Sequence, residues 1–206
     1  MNITRRALLE RFSACALLGA VGRASAVEYK GCADCIEVFR GKRLIQRVAS
    51  GQPSFLTVDH ARNLLFAVNE IDEYEGLPTG SVESYAVAPE SGLIELLSRR
   101  PLALSAIRPR HLAISPDGKY MVVAVYGGGA YNVLAIEADG KIGALVHVFK
   151  EIGLGASAHP HSVVFHPSGQ FVVGTDLGCD RNSVFAFDNG RLSRSALSAD
   201  RLPTTV

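Results

Sequence analysis

The sequence has no tryptophan, only two methionines and no run of like charges. Lys and Arg number 21 against 20 Asp and Glu, so no basic stripe exists that could follow a phosphate backbone, and we expect no nucleic-acid partner. No apolar run approaches the roughly 20 residues that a membrane-spanning helix needs. Beyond the first 26 residues, no segment repeats its apolar residues at the helical period. These absences favour a globular protein built from strands.

What is present also favours β-structure. The 206 residues are 48% apolar, which is enough to build a core, and they include 20 glycines and 9 prolines, which indicate many turns. No linker-like stretch divides the chain, so the sequence predicts one all-β domain after its leader.

The N-terminus reads as an export signal. The stretch "TRRALLERF" (4–12) contains an arginine pair, "FSACALLGAV" (12–21) is a short apolar run, and "ASA" (24–26) is a small-x-small cleavage site. We therefore predict a twin-arginine-like signal peptide over 1–26, a mature chain that begins at Val27, and export, with the periplasm as the expected location. The alternatives are an uncleaved anchor or a chance amphipathic start.

Three cysteines remain after the leader: Cys32, Cys35 and Cys179. A C-x-x-C pair can form half of a zinc site, a redox pair or a local disulfide. No second pair follows for zinc, and no strand-to-helix context supports a thioredoxin-like site. A small disulfide or two free thiols is the favoured interpretation, with Cys179 free.

Internal repetition is the strongest organising signal. The segments "PSFLTVDHARNLLFAVNE", "PRHLAISPDGKYMVVAVY" and "PHSVVFHPSGQFVVGTDL" align without a gap from Pro53, Pro109 and Pro160. Each is an apolar strand, a turn and a second apolar strand, with Pro-Asp-Gly or Pro-Ser-Gly in two of the turns.

A second unit of two further strands follows each copy, and its versions align on Val82, Val133 and Val184. A period near 50 residues that supplies four strands is the size of one propeller blade. The stretch "CIEVFRGKRLIQRV" (35–48) reads as the outer half of an earlier blade. The predicted fold is therefore an all-β β-propeller of four-stranded blades, with about three and a half blades present.

Several motifs together resemble one known family. The stretches "PRHLAISPDGKYMVVAVYGGG", "IEADGKIG" and "HPHSVVFHPSGQFVVGTDLGCDR" are similar, as a set and in this order, to the seven-bladed β-propeller lactonases, which are named for 6-phosphogluconolactonase and resemble a fungal carboxymuconate lactonizing enzyme. The resemblance covers nearly all of residues 35–195. It implies a lactone-hydrolysing site at the mouth of the central channel, and we expect neither a cofactor nor a metal ion there.

The sequence departs from this family in two places and in length. Val125 stands where the family's turn motif has an asparagine, and "GLGASA" (153–158) replaces an Arg-Gln pair. The expected domain, 27–206, holds only about three and a half blades, whereas a seven-bladed ring needs roughly twice that length. We therefore interpret it as a partial lactonase-type propeller.

The repeats place polar residues at equivalent positions. Ser54, Arg110 and His161 align, and Asn69, Val125 and Asp176 align one residue before Glu70, Tyr126 and Leu177. In a propeller such positions recur around the channel mouth, so His161 and Arg110 are expected to be neighbours.

Lactone hydrolysis needs a base for water, donors for the oxyanion and a cation where the substrate is acidic. The candidate catalytic residues are His159, His161 and Glu70, and the candidate substrate-binding residues are Arg110, Arg181, Tyr126 and Asp176. Either histidine could serve as the base, and Glu70 or Asp176 could orient a histidine or a substrate hydroxyl. Each histidine could instead be structural, and Glu70 could belong to a charged loop. The remaining histidines His60, His147 and His166 are expected to be turn or surface residues.

The predicted function is hydrolysis of a sugar lactone by general-base attack of water. Export favours a neutral substrate, because phosphorylated sugar lactones are made in the cytoplasm. The alternatives are a non-catalytic propeller fragment that serves as a binding surface or is a decayed remnant, and a cycloisomerase that forms a lactone from a muconate-like diacid. An incomplete ring leaves open blade edges, so a homodimer through those edges is a further expectation.

Overall fold

The computed structural model describes residues 26–152 and 157–195, and all regular structure in them is β-strand. The predicted signal peptide lies outside these residues except for its last position. In the described part of the chain, no helix has the length and apolar character that crossing a membrane requires.

Fifteen strands form four antiparallel sheets, which we name blades 1 to 4 in chain order. Blade 1 consists of β1 (Val27–Gly31), β2 (Cys35–Arg40) and β3 (Arg43–Ala49). Blade 2 consists of β4 (Pro53–Asp59), β5 (Leu64–Asn69), β6 (Ser81–Val87) and β7 (Ile94–Pro101). Blade 3 consists of β8 (Pro109–Ile114), β9 (Tyr120–Val125), β10 (Ala130–Ile136) and β11 (Ile142–Lys150). Blade 4 consists of β12 (Pro160–Phe165), β13 (Phe171–Asp176), β14 (Arg181–Asp188) and β15 (Arg191–Arg194).

The strand order confirms the partial propeller. In blades 2 to 4 each strand pairs with the next one in sequence, and the first strand of blade 3, β8, contacts the first strands of both neighbouring blades, β4 and β12. These inner strands begin at the three prolines that start the sequence repeats. Blade 1 contains the two predicted outer strands together with β1, which the sequence repeats did not predict.

Apolar residues hold the blades together face to face. Leu65 and Ala67 of β5 pack toward blade 1, whereas Phe66 and Val68 pack toward blade 3, so both faces of this strand are buried. Blade 3 repeats the arrangement, with Val123 in the cluster it shares with blade 2. This packing explains why the second strand of each repeat reads as a continuous apolar run rather than an alternating one.

The pairing register corrects one part of the repeat alignment. Three equivalent residues of the first repeat unit, Phe66, Val122 and Val173, pair with Ser84, Val133 and Val184 respectively. The equivalent of Val133 and Val184 is therefore Ser84 and not Val82. The alignment on Val82 was wrong by two residues because the connection between β5 and β6 is longer than its counterparts in the other blades. A shift of two residues keeps each side chain on the same face, so the apolar pattern did not reveal it.

The corrected register makes Glu83, Asn132 and Ser183 equivalent, and all three are buried. Glu83 and Asn132 take part in polar contacts at the boundary with the preceding blade, whereas Ser183 accepts a hydrogen bond from Arg194 of its own blade. The Ser50 hydroxyl donates to Glu83 over 2.5 Å, and the Ala103 amide donates to Asn132 over 2.9 Å. A polar contact thus accompanies the apolar core at the blade boundaries.

The four blades form an open arc, and its two end faces, the outward faces of blade 1 and blade 4, differ in polarity. On blade 4, Val164 pairs with Val173 on the face that points away from blade 3, and Val164 is 52% exposed. Val122 in blade 3, which is the equivalent of Val173, is fully buried against the next blade, whereas Val173 is half-buried. On blade 1, the outward face carries ion pairs, including one between Arg47 and Glu37. One end is therefore apolar and the other is charged.

The cysteines follow the favoured interpretation. Cys32 and Cys35 form a disulfide in the turn between β1 and β2, and Cys179 is a free, half-buried thiol. Cys32, Asp34 and Cys35 are the one group within the described ranges whose ligand atoms are close enough to hold a metal ion, but both sulfurs are bonded to each other.

Candidate active site at the channel mouth

Each inner strand carries a β-bulge at its second residue. Pro53 pairs with Asn69 but Phe55 pairs with Val68, which leaves Ser54 without a partner in the ladder. Arg110 and His161 are bulged in the same way in β8 and β12. A bulge re-aims a side chain, and bulges often lie beside active sites. The sequence equivalence of these three residues is therefore a shared backbone feature.

A repeated hydrogen bond places the next set of residues at the same rim. The residue that follows each second strand donates its amide to the carbonyl just before the inner-strand proline. The pairs are Glu70 to Gln52 at 2.9 Å, Tyr126 to Arg108 at 3.2 Å and Leu177 to His159 at 3.0 Å. Glu70, Tyr126 and Leu177 thus occupy equivalent positions beside the bulges.

These side chains form one continuous cluster across three blades. Arg110 Nη1 lies 2.8 Å from Glu70 Oε2, and its guanidinium carbon lies 5.2 Å from the centre of the Tyr126 ring. The His159 ring stacks on the other side of the cluster, 4.4 Å from Tyr126, and the exposed His161 ring meets Tyr126 edge-on at 6.4 Å. The structure therefore brings together five of the predicted residues, with Tyr126 between Arg110 and both histidines.

The hydrogen bonds of His159 determine which ring nitrogen can act as a base. Its Nδ1 lies 3.0 Å from the Tyr126 carbonyl oxygen, which can only accept, so Nδ1 carries the proton in the neutral ring. The lone pair is then on Nε2. The His159 amide also donates to Asp176 Oδ1 over 2.8 Å, and the same oxygen accepts from the Cys179 amide. Asp176 thus orients His159 through its backbone, as the sequence allowed.

Arg181 begins β14, which lies two strands outward from the inner strand β12. Its Nη2 is 2.5 Å from Glu151 Oε2 and 3.9 Å from Asp176 Oδ2, and its side chain is 7% exposed. Arg194 also pairs with Glu151. The structure thus gives Arg181 and Asp176 internal partners at the boundary between blades 3 and 4. Their direct contact with substrate stays a prediction.

The turn after β9 carries the glycines that were expected to shape the rim. A side chain on Gly128 would place its Cβ 2.6 Å from the Ser105 carbonyl oxygen, and Gly129 has φ +58°. Val125, which replaces the family's asparagine, is fully buried in the core shared with blade 2. That substitution therefore enlarges an apolar cluster and contributes no polar group to the rim.

One histidine of this region, His111, was not among the predicted site residues. His111 follows Arg110 in β8, occupies the position equivalent to Phe55, and packs on that ring in a tilted arrangement with the centroids 3.9 Å apart. Both residues border a groove of about 510 Å³ along the inner strands, which also contacts Val163 and Phe165. Burial lowers the pKa of His111 to about 4, and the nearby His161 acts in the same direction. The aligned repeats contained the signal, since an imidazole replaces a phenylalanine.

Comparison with known proteins agrees with this architecture. The model of the family described as "Lactonase, 7-bladed beta-propeller" matches residues 42–203. The chain belongs to this lactonase family. A 6-phosphogluconolactonase of Bacillus subtilis is 23% identical over 150 residues, which cover 70% of this chain and 41% of the relative.

Solved structures of lactonase propellers show the same fold. The periplasmic gluconolactonase of Pseudomonas aeruginosa is 30% identical with a TM-score of 0.65, over 76% of this chain and 47% of that one. A candidate 6-phosphogluconolactonase of Bacteroides fragilis has a TM-score of 0.69 at 22% identity, over 88% and 52% of the two chains. This lactonase-family chain thus spans about half the length of the relatives that it matches.

Proposed function

We propose that this chain hydrolyses a neutral sugar lactone at the channel mouth. Family membership supports lactone chemistry, and the observation that carries the assignment is the fixed imidazole of His159. With Nδ1 held by the Tyr126 carbonyl, Nε2 is the proton acceptor in the neutral ring. An oriented imidazole is the commonest general base in enzymes.

The proposed reaction proceeds in two steps. His159 Nε2 takes a proton from water as the water oxygen bonds to the lactone carbonyl carbon, and the carbonyl oxygen becomes an oxyanion. When the tetrahedral intermediate collapses, the bond from this carbon to the ring oxygen breaks, and the ring oxygen takes the proton back from His159. Arg110 and the exposed His161 offer donors to substrate hydroxyls, Tyr126 offers a ring face, and Glu70 holds Arg110 in place.

Charge pairing at the site supports a neutral substrate. Both arginines that were expected to bind an acidic group have carboxylate partners, Arg110 with Glu70 and Arg181 with Glu151. A phosphorylated lactone would have to compete with these carboxylates. Export, which we propose from the N-terminal signal over 1–26, points the same way, and the Pseudomonas aeruginosa relative is described as a periplasmic gluconolactonase.

Steady-state kinetics on D-glucono-δ-lactone and 6-phosphoglucono-δ-lactone test this function. We expect turnover of the neutral lactone, and we expect His159→Gln to lower kcat by about 10²-fold. His166→Gln is the matched control, because the His166 ring hydrogen-bonds to Ser168 within its own exposed turn. Equal rates in both variants would contradict the role of His159. A wild-type chain that turns over no lactone would favour the non-catalytic binding surface instead.

We also propose that a second copy covers the open face of blade 4. The apolar blade boundaries continue onto this face, where Val164 and Val173 have no following blade in the described residues. The outward face of blade 1 carries ion pairs of its own, so it matches an apolar surface poorly. Two blade 4 faces therefore pack against each other about a two-fold axis.

Analytical ultracentrifugation of the chain tests this assembly. We expect a dimer that Val173→Glu converts to a monomer, because a buried carboxylate would face the same carboxylate across the axis. Lys30→Glu on the opposite end face is the control and should leave the dimer intact. A monomeric wild-type chain would refute the assembly.

A further inference from the structure

The surroundings of His111 are unusual for a polar side chain. Its ring packs on Phe55 at 3.9 Å, and it borders a groove lined largely by apolar residues such as Val163 and Val164. Its Nδ1 is buried and has no hydrogen-bond partner among the described residues. Buried polar atoms without partners are rare in native proteins and call for an explanation.

The protonation of His111 follows from this environment. Burial keeps the ring neutral at physiological pH, so only one nitrogen carries a proton. An unpaired buried N–H is rarer in native proteins than an acceptor left short of partners, which assigns the proton to Nε2. With Nδ1 enclosed, Nε2 is the nitrogen that a molecule in the groove can reach. His111 therefore presents an N–H donor to the groove at any pH well above 4.

We propose that His111 is a further catalytic residue, whose Nε2–H hydrogen-bonds the lactone carbonyl oxygen and stabilises the oxyanion. This inference rests on the proposed lactone hydrolysis. His111 keeps its proton throughout, while the proton from water goes to His159 and returns to the ring oxygen. The hydrogen bond from a preorganised donor strengthens as the oxyanion forms, and the donor needs no charge of its own.

The arrangement also separates two roles by environment. His159 has its Nδ1 anchored on a carbonyl and its lone pair on Nε2, whereas His111 has its lone pair on the enclosed Nδ1 and its proton on Nε2. In their neutral forms the two imidazoles would therefore be opposite tautomers, with His159 as a proton acceptor and His111 as a donor. Opposite environments for paired groups are typical of acid and base assignments in active sites.

Nitrogen-15 NMR of the histidine-labelled chain tests the tautomer without any need for activity. We expect His111 to be neutral at pH 7, protonated on Nε2, and to shift when D-glucono-δ-lactam is added, because the lactam keeps the carbonyl oxygen but resists hydrolysis. A ring protonated on Nδ1, or one unaffected by saturating lactam, would overturn the proposal.

Kinetics of two variants test the catalytic role. His111→Phe keeps the ring contact with Phe55 and removes the donor, so we expect kcat to fall by about 10²-fold with KM within about threefold, while the shape of the pH profile is unchanged. His111→Gln restores a neutral N–H donor and should recover at least tenfold of this loss. His166→Gln is the control, because the His166 ring hydrogen-bonds to Ser168 in an exposed turn and does not line the groove.

The outcomes separate the two hypotheses. If the wild type hydrolyses lactone and His111→Phe stays within twofold of it, the role of His111 is refuted and the function stands. If the wild type hydrolyses no lactone, the function fails and the catalytic role of His111 fails with it. A lactam-induced shift of the His111 resonance would then identify a binding donor only.

Discussion

Replacing His111 by phenylalanine should remove a large part of the acid sensitivity of this fold. The folded-state pKa is about 4, below the ordinary value of 6.5. Between these values the unfolded chain binds more protons than the folded chain, so stability rises with pH in this window. The stability that the fold has while His111 is neutral in both states is complete above pH 6.5, and it is lost as the pH falls toward 4. The full shift corresponds to about 3 kcal/mol, of which about 2 kcal/mol falls between pH 7 and pH 5.

The measurement is urea unfolding followed by circular dichroism at both pH values, since the chain has no tryptophan to report by fluorescence. Between pH 7 and pH 5 the wild type should lose about 2 kcal/mol more unfolding free energy than His111→Phe. At pH 5 most carboxylates are still ionised, which keeps their contribution small. His147, whose pKa burial also lowers, contributes equally to both proteins.

His166→Gln is the control for a histidine outside the groove and should keep the full wild-type dependence. The reasoning is refuted if His111→Phe loses as much stability as the wild type over this pH range. It is equally refuted if the phenylalanine variant unfolds at much lower urea at pH 7, because the substitution only removes a buried nitrogen without a partner and keeps an aromatic ring on Phe55.

Two further predictions concern packing between blades. Glu151→Gln removes the nearer of the two carboxylates beside the buried Arg181 and leaves only Asp176, 3.9 Å away, so we expect the unfolding free energy to fall by about 3 kcal/mol in the same urea assay. Gly174→Ala would put a Cβ 2.5 Å from Cζ of Tyr131 in the neighbouring blade, and we expect a loss of about 1–3 kcal/mol. Gly51→Ala, whose Cβ would meet no atom closer than 3.8 Å, is its control and should change stability by less than about 0.5 kcal/mol.

The fold was predictable because a propeller repeats itself. Prolines at the three inner-strand starts and the turns between paired strands carry the period directly in the sequence. The strand β1 was not predicted, because it has no counterpart in the repeats and its short segment alternates between half-buried and exposed residues. The register of β6 was misjudged because a longer connection and a shift of two residues preserve the apolar pattern.

The candidate site was predictable only in part. The repeat alignment predicted that Glu70, Arg110 and Tyr126 lie close together, because equivalent positions in a propeller lie on the same rim, and the structure places them in contact. The alignment could not show that Arg181 points into a blade boundary, because its partner Glu151 lies outside the repeated segments. It also gave no weight to His111, whose importance depends on an enclosed nitrogen and a neighbouring groove that only three-dimensional packing creates.

The proposed site is formed by three of the four blades, and this determines which catalytic groups a partial ring can supply. Every described contact of the rim cluster joins blades 2, 3 and 4, from Glu70 through Arg110 and Tyr126 to His159. The proposed base, its anchoring carbonyl and the proposed oxyanion donor therefore all belong to the arc that this chain supplies. An opposite channel wall would enclose the substrate and exclude water, which strengthens binding and electrostatics without changing which groups move the proton. The chemistry that we propose thus depends on three consecutive blades, and ring closure acts on how tightly the lactone is held against them.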